Sequence, residues 1–138
     1  MIRIIYVSRA NSLLPLDLKD ILATSRKNNH ALDISGAMCF IDGVYLQCLE
    51  GEADVVDALY QRIESDTRHS APRILARQSI SNRAFLGWSM GLLTWNDETK
   101  KVFHSFNPQG ALDVYAADPA TIDSLIRAWV TTSNWMTL

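Results

Sequence analysis

Hydrophobic spacing divides the chain into strands and helices. From Ile2 to Ser8, Ile2, Ile4 and Tyr6 fall on one face of a strand, and Ile5 and Val7 on the other. Apolar residues on both faces predict a central strand. Asn11 and Ser12 predict a turn, and Pro15 suits the first turn of a helix, where its missing N–H costs nothing. Leu18, Ile21, Leu22 and Ser25 follow at i, i+3, i+4 and i+7, and Asn28 and Asn29 extend that side by a turn. The stripe begins apolar and ends polar. Taken alone, Asn28-Asn29 reads as a C-cap pair, since Asn tolerates the left-handed conformation.

Asp42-Gly43 lies between two apolar runs, the strongest short signal for a β-hairpin. In the second arm, Val44 to Glu50, Tyr45, Gln47 and Leu49 share one face, and Val44, Leu46 and Cys48 the other. Both are mostly apolar, so Gln47 is an amide in a core, and its oxygen and two N–H donors need partners. Those partners are either neighbouring backbone or a polar ligand.

Glu52 to about Ser65 predicts a second helix buried through Val55, Val56, Leu59 and Ile63, closed by Asp66-Thr-Arg-His69. Arg62, Arg68 and His69 there either favour the helix dipole or, for the arginines, hold a phosphate at a cleft rim. Pro72 opens a fourth strand, Arg73 to Ile80, whose arginines at 73 and 77 mark an edge. Phe85 to Leu93 predicts a fifth strand, with Trp88, Met90 and Leu92 on one face and the small Ser89 and Gly91 on the other. Asn96 caps a short helix holding Val102, Phe103 and Phe106, and Asn107-Pro-Gln-Gly110 is a turn. Asp118-Pro119 starts a last helix with Ile122, Leu125, Ile126, Trp129 and Val130 as its stripe.

The order β-α-β-β-α-β-β predicts an α+β, ferredoxin-like fold: a mixed five-stranded sheet, two helices on one face and a C-terminal helical extension. The first and third strands are expected side by side and parallel. Tyr6 and Gln47 then sit on adjacent strands and, if both face the helices, look into a space lined by Ser25 and Asn29. The tail covers the other sheet face or reaches a second subunit.

At 138 residues the chain has the size of one domain. Hydrophobic content of 48% and charged content of 20% are those of a folded protein. A net charge of −2 gives no electrostatic reason to expect nucleic acid or an anionic membrane as a partner. No apolar run approaches a bilayer span, and the N-terminus has a strand pattern unlike a signal peptide. Cys39 and Cys48 lack metal-ligand spacing, as do His30, His69 and His104, and two buried thiols fit a reducing cytoplasm.

Several motifs in order resemble the BLUF domains, blue-light receptors that bind flavin. They are Tyr6 in the first strand, the helix ending Thr-Ser-Arg-Lys-Asn-Asn, the Ser-Gly opening the hairpin, Gln47 followed by Leu-Glu-Gly, Asp66-x-Arg-His69, and Gly-Trp-Ser-Met90. The resemblance covers residues 1–95, the flavin-binding unit, with 96–138 a helical extension of the same globular unit, as in short BLUF proteins without an output domain. It implies that Tyr6 and Gln47 are photoactive. By the same resemblance, Asn29 is expected to bind the carbonyl edge of the ring, Ser25 and Asn28 to line the site, and Ile21 to pack on the ring. Arg62, Asp66, Arg68 and His69 are expected at the ribityl and phosphate end, and Trp88 and Met90 as the pair that relays the signal. The implied cofactor is FAD, with FMN or riboflavin as alternatives. The implied partners are a downstream signalling protein and further copies of the chain. A tail of some 40 residues is too short for a cyclase or phosphodiesterase, so output by interaction is expected rather than an enzymatic activity. The rivals are an acylphosphatase-like hydrolase, which the glycine-free loop at Ser8 to Ser12 disfavours, and a regulatory or small-molecule-binding module that does not respond to light.

Overall fold

The structure, a computed structural model, describes residues 1–10, 15–41, 44–65, 69–85, 87–93, 96–106, 122–130 and 135–136. The turns expected at Asn11-Ser12, Asp42-Gly43 and Asn107–Gly110, the Asp118-Pro119 cap, Asp66 and Arg68 lie outside the described residues. The strands are β1 (Ile2–Ala10), β2 (Ser35–Ile41), β3 (Val44–Gly51), β4 (His69–Ser79), β5 (Gly91–Leu93) and β6 (Trp135–Met136). The helices are α1 (Pro15–Ala31), α2 (Ala53–Glu64), α3 (Asp97–Phe106) and α4 (Ile122–Val130).

One mixed sheet runs in the order β4-β1-β3-β2-β5-β6. The expected α+β sheet is present, with the two-residue β6 added at one edge. β1 and β3 are neighbours, as expected, but antiparallel rather than parallel. The crossover through α1 leads from β1 to β2, and the β2–β3 hairpin reverses the chain before β3 reaches β1. Tyr6 and Gln47 lie on neighbouring strands, as expected, and the antiparallel register sets them directly opposite each other. Every residue of β3 is buried, as its two apolar faces require. β4 is an edge strand with Arg73 and Arg77 exposed.

Two cores flank the sheet. Ile2, Ile4, Tyr6, Met38, Tyr45 and Leu49 pack with Leu22 of α1 and Val56, Leu59 and Tyr60 of α2. Ile5, Val7, Leu46 and Cys48 pack on the opposite face with Phe103 of α3 and Leu125 and Ile126 of α4. The tail helices therefore cover the second face. Burying each such side chain stabilises by roughly 1.5–3 kcal/mol. A reciprocal cap starts α3: the Thr99 N–H donates to Asn96 Oδ1 (3.1 Å), and the Asn96 N–H donates to Thr99 Oγ1 (2.8 Å).

Four local expectations are corrected. His69 begins β4 instead of closing α2. Asn28 and Asn29 are not the C-cap; α1 continues to Ala31, and the left-handed residue is Asp33, at φ 54°. The fifth strand shrinks from Phe85–Leu93 to Gly91–Leu93, so Trp88 and Met90 precede it. Nor do they share a face. Trp88 packs against the core under α3 and α4, whereas Met90 and Leu92 belong to the core under α1 and α2. The cause is a turn at Gly87, with φ 85°, a conformation natural to glycine.

Candidate functional site

The two-residue period of β1 and β3 points Tyr6, Tyr45, Gln47 and Leu49 at the helices, and α1 and α2 stand apart above them. Between the helices lies a cleft of about 750 Å³, its open mouth included. Ser25, Asn28 and Asn29 of α1, Gln47 of β3 and Arg62 of α2 line it with Tyr6. Ile21 lies on α1 and His69 at the first position of β4; the described side chains do not include theirs.

At the floor, the Tyr6 hydroxyl donates to Gln47 Oε1. Gln47 Nε2 donates to Met90 Sδ at 3.7 Å. The Tyr60 ring meets Tyr6 edge-on, with centroids 5.2 Å apart. Asn29 Nδ2 donates to the Ser89 carbonyl at 2.6 Å, and Arg26 Nε to the Met90 carbonyl at 3.1 Å. Two α1 side chains thus grip the segment that ends in Met90.

Hydrogen-bonding capacity is left over. Gln47 is 5% exposed and Asn29 1%. Among the described residues, the second amide N–H of Gln47 and the Asn29 Oδ1 acceptor have no partner. Buried amides with unused donors and acceptors are rare in a core that binds nothing.

Ser8, Thr24, Met38, Tyr45, Leu49, Leu59 and Ile63 also line the cleft and were not foreseen as site residues. Period was the signal available for several of them. Ser8 lies two residues after Tyr6 on the same strand face, Tyr45 two before Gln47, and Thr24 four before Asn28 on the helix.

The family model of BLUF, described as sensors of blue-light using FAD, matches residues 1–91. The chain belongs to the BLUF family. As a BLUF protein it is a blue-light sensor that binds flavin. The photoactivated adenylate cyclase subunit beta of Euglena longa is 27% identical over 128 residues, which is 91% of this chain and 14% of that protein. The chain therefore spans only a small part of such relatives. Two structures of BlsA, in its ground and photo-activated states, share 27% identity and superpose with TM-scores of 0.88. Each covers 96% of this chain, and the chain covers 89% and 96% of them in turn. The dark state of BlrB, a BLUF protein, gives a TM-score of 0.72 at 27% identity, covering 92% of this chain and 95% of its own.

The cleft suits a flavin. Leu49, Leu59, Ile63 and Met38 offer apolar surface for a flat ring. The spare Gln47 N–H suits a ring nitrogen or carbonyl, and the spare Asn29 oxygen a ring N–H. Arg62 sits exposed in the last turn of α2, on the side where a charged tail can meet solvent. Among the described residues, no group of His, Cys, Asp or Glu is arranged to hold a metal ion. Desolvation pushes the buried Cys39 thiol far above its usual range and keeps it protonated and unreactive.

Proposed function

We propose that Tyr6 and Gln47 are the photoactive pair of this BLUF protein and that Met90 and Trp88 carry the change to the C-terminal helices. The observation that carries this reading is the chain of contacts from the Tyr6 hydroxyl through the Gln47 amide to Met90. A bound flavin, excited by blue light, supplies a strong oxidant. Tyr6 is the donor of an electron and a proton, and both return to it. Gln47 responds because an amide has unlike ends: reversing them, by rotation or tautomerisation, exchanges acceptor for donor without moving β3. The new pattern mismatches at Tyr6 and Met90, and an unmatched buried donor costs about 1–3 kcal/mol. That is enough to bias a segment with two arrangements.

Asn29 holds the carbonyl edge of the ring, its oxygen accepting from the ring N–H there and its second amide N–H donating to a ring carbonyl; Ser25 and Asn28 line the pocket, and Ile21 packs on the ring. FAD is the form bound, with Arg62 as the chief phosphate contact and Asp66, Arg68 and His69 around the ribityl and phosphate end. The protein works in the cytoplasm as a receptor rather than an enzyme. Its output is an altered contact with a signalling protein or with further copies of itself. The packing of α3 and α4 on the sheet face opposite the cleft supports that route. Tyr6→Phe tests the pair: flavin should remain bound while the light-induced red shift of its visible absorption is abolished. A normal photocycle in that variant would overturn the assignment.

A further inference from the structure

Glu50 is the penultimate residue of β3, its side chain on the face away from the cleft, and is 0% exposed. Five donors converge on its carboxylate. Oε2 accepts from Arg3 Nε (2.9 Å), Arg3 Nη2 (2.8 Å) and the backbone N–H of Ala84 (2.8 Å). Oε1 accepts from the Phe85 N–H (2.9 Å) and Ser35 Oγ (3.2 Å). Arg83 reinforces the same point, donating to Ser35 Oγ at 3.2 Å and to the Asp33 carbonyl at 2.8 Å. Ala84 and Phe85 start the segment that leads through Trp88 to Met90.

The segment is thus held at two ends by different means. Upstream, a charged and fully satisfied network grips the backbone. Downstream, Ser89 and Met90 hang on Asn29, Arg26 and Gln47, side chains of the cleft region. Between them, the Trp88 carbonyl accepts from the Gly36 N–H at 3.0 Å, and the indole packs 5.7 Å from the Phe85 ring.

We propose that Glu50, held by Arg3, is a positioning residue for the light response. It pins the chain at Ala84 and Phe85, so a rearrangement at Gln47 displaces Met90 and Trp88 about a fixed point and is not absorbed along the whole connection. This rests on the photoactive role of Gln47 proposed above. A carboxylate suits the task because it accepts from several N–H groups at once, and charge-assisted bonds are the stronger kind.

Residue-resolved amide hydrogen exchange of the flavin-loaded protein, dark and under blue light, tests it. The Ala84 and Phe85 amides should exchange at the same slow rate in both conditions, while amides 88–90 change by about tenfold or more. Equal acceleration of all of them under light would overturn the anchor. A protein that shows no red shift at all would instead overturn the photoactive reading, so the two failures are distinct. Glu50→Gln should keep flavin binding and the red shift but lose the light-minus-dark exchange difference in α3 and α4. If that variant does not fold, Arg3→Met/Glu50→Leu replaces the pair with apolar residues, a swap that buried pairs often tolerate. A difference of wild-type size in α3 and α4 of either variant would overturn the proposal.

Discussion

The two faces of the sheet each bury polar groups, and they treat them in opposite ways. On the α1/α2 face, Gln47 and Asn29 keep donors and acceptors that no described residue uses. On the α3/α4 face, Glu50 is saturated by five donors. Both groups are nearly inaccessible to water, so burial alone does not distinguish a site from a support. Satisfaction does. An amide with spare capacity can take a ligand or exchange partners without breaking a saturated network, whereas a carboxylate with every lone pair engaged resists any change. The segment from Ala84 to Met90 passes from one regime to the other.

Removing either regime should give unlike consequences. The largest effect on function is expected from Gln47→Leu, which removes the amide that changes partners: the light-minus-dark absorption difference should vanish, with flavin retained. Next is Glu50→Leu, which strands Arg3 in the core. Unfolding in urea should show a loss of about 3–5 kcal/mol, recovered only in part by adding Arg3→Met, because the Ala84 and Phe85 N–H groups still lack their acceptor. Asn29→Ala should weaken flavin binding by about tenfold, measured by titration of the apoprotein, since one ring contact is lost. The smallest effect belongs to an ion pair outside both networks, Arg77 Nη2 to Asp57 Oδ2 at 2.7 Å, whose side chains are 48% and 40% exposed. The hydrogen bond from Arg77 holds the Asp57 carboxyl below its usual range. Its lowered folded pKa makes the contribution full above about pH 4 and lost as pH falls through the folded value. Asp57→Asn should leave the spectrum intact, shift the urea midpoint far less than Glu50→Leu at neutral pH, and not at all in strong acid.

The cleft side was readable from sequence because its residues obey local periods. The two-residue repeat puts Tyr6 and Gln47 on adjacent strands facing the same way, and the helical repeat brings Ser25, Asn28 and Asn29 toward them. What could not be read depends on long-range bonds. Phe85 to Leu93 has the composition of a strand, yet Glu50 captures the Ala84 and Phe85 N–H groups and Gly87 turns the chain, so regular pairing begins only at Gly91. Nothing within those nine residues announces a carboxylate 34 positions away from Ala84. The direction of β3 against β1 is hidden from the sequence for a similar reason. It depends on which strand each crossover reaches, a matter of the assembled sheet. Taken alone, Asn29 has the sequence signature of a cap, because its partner, the Ser89 carbonyl, lies 60 residues away.

The most direct measurement is the visible absorption of the flavin-loaded protein before, during and after blue light. A flavin band that shifts slightly to the red under illumination and returns in darkness is the predicted result. A protein that takes up no flavin, or one whose bound flavin shows no such reversible shift, would contradict the assignment of Tyr6 and Gln47 as its light-driven switch.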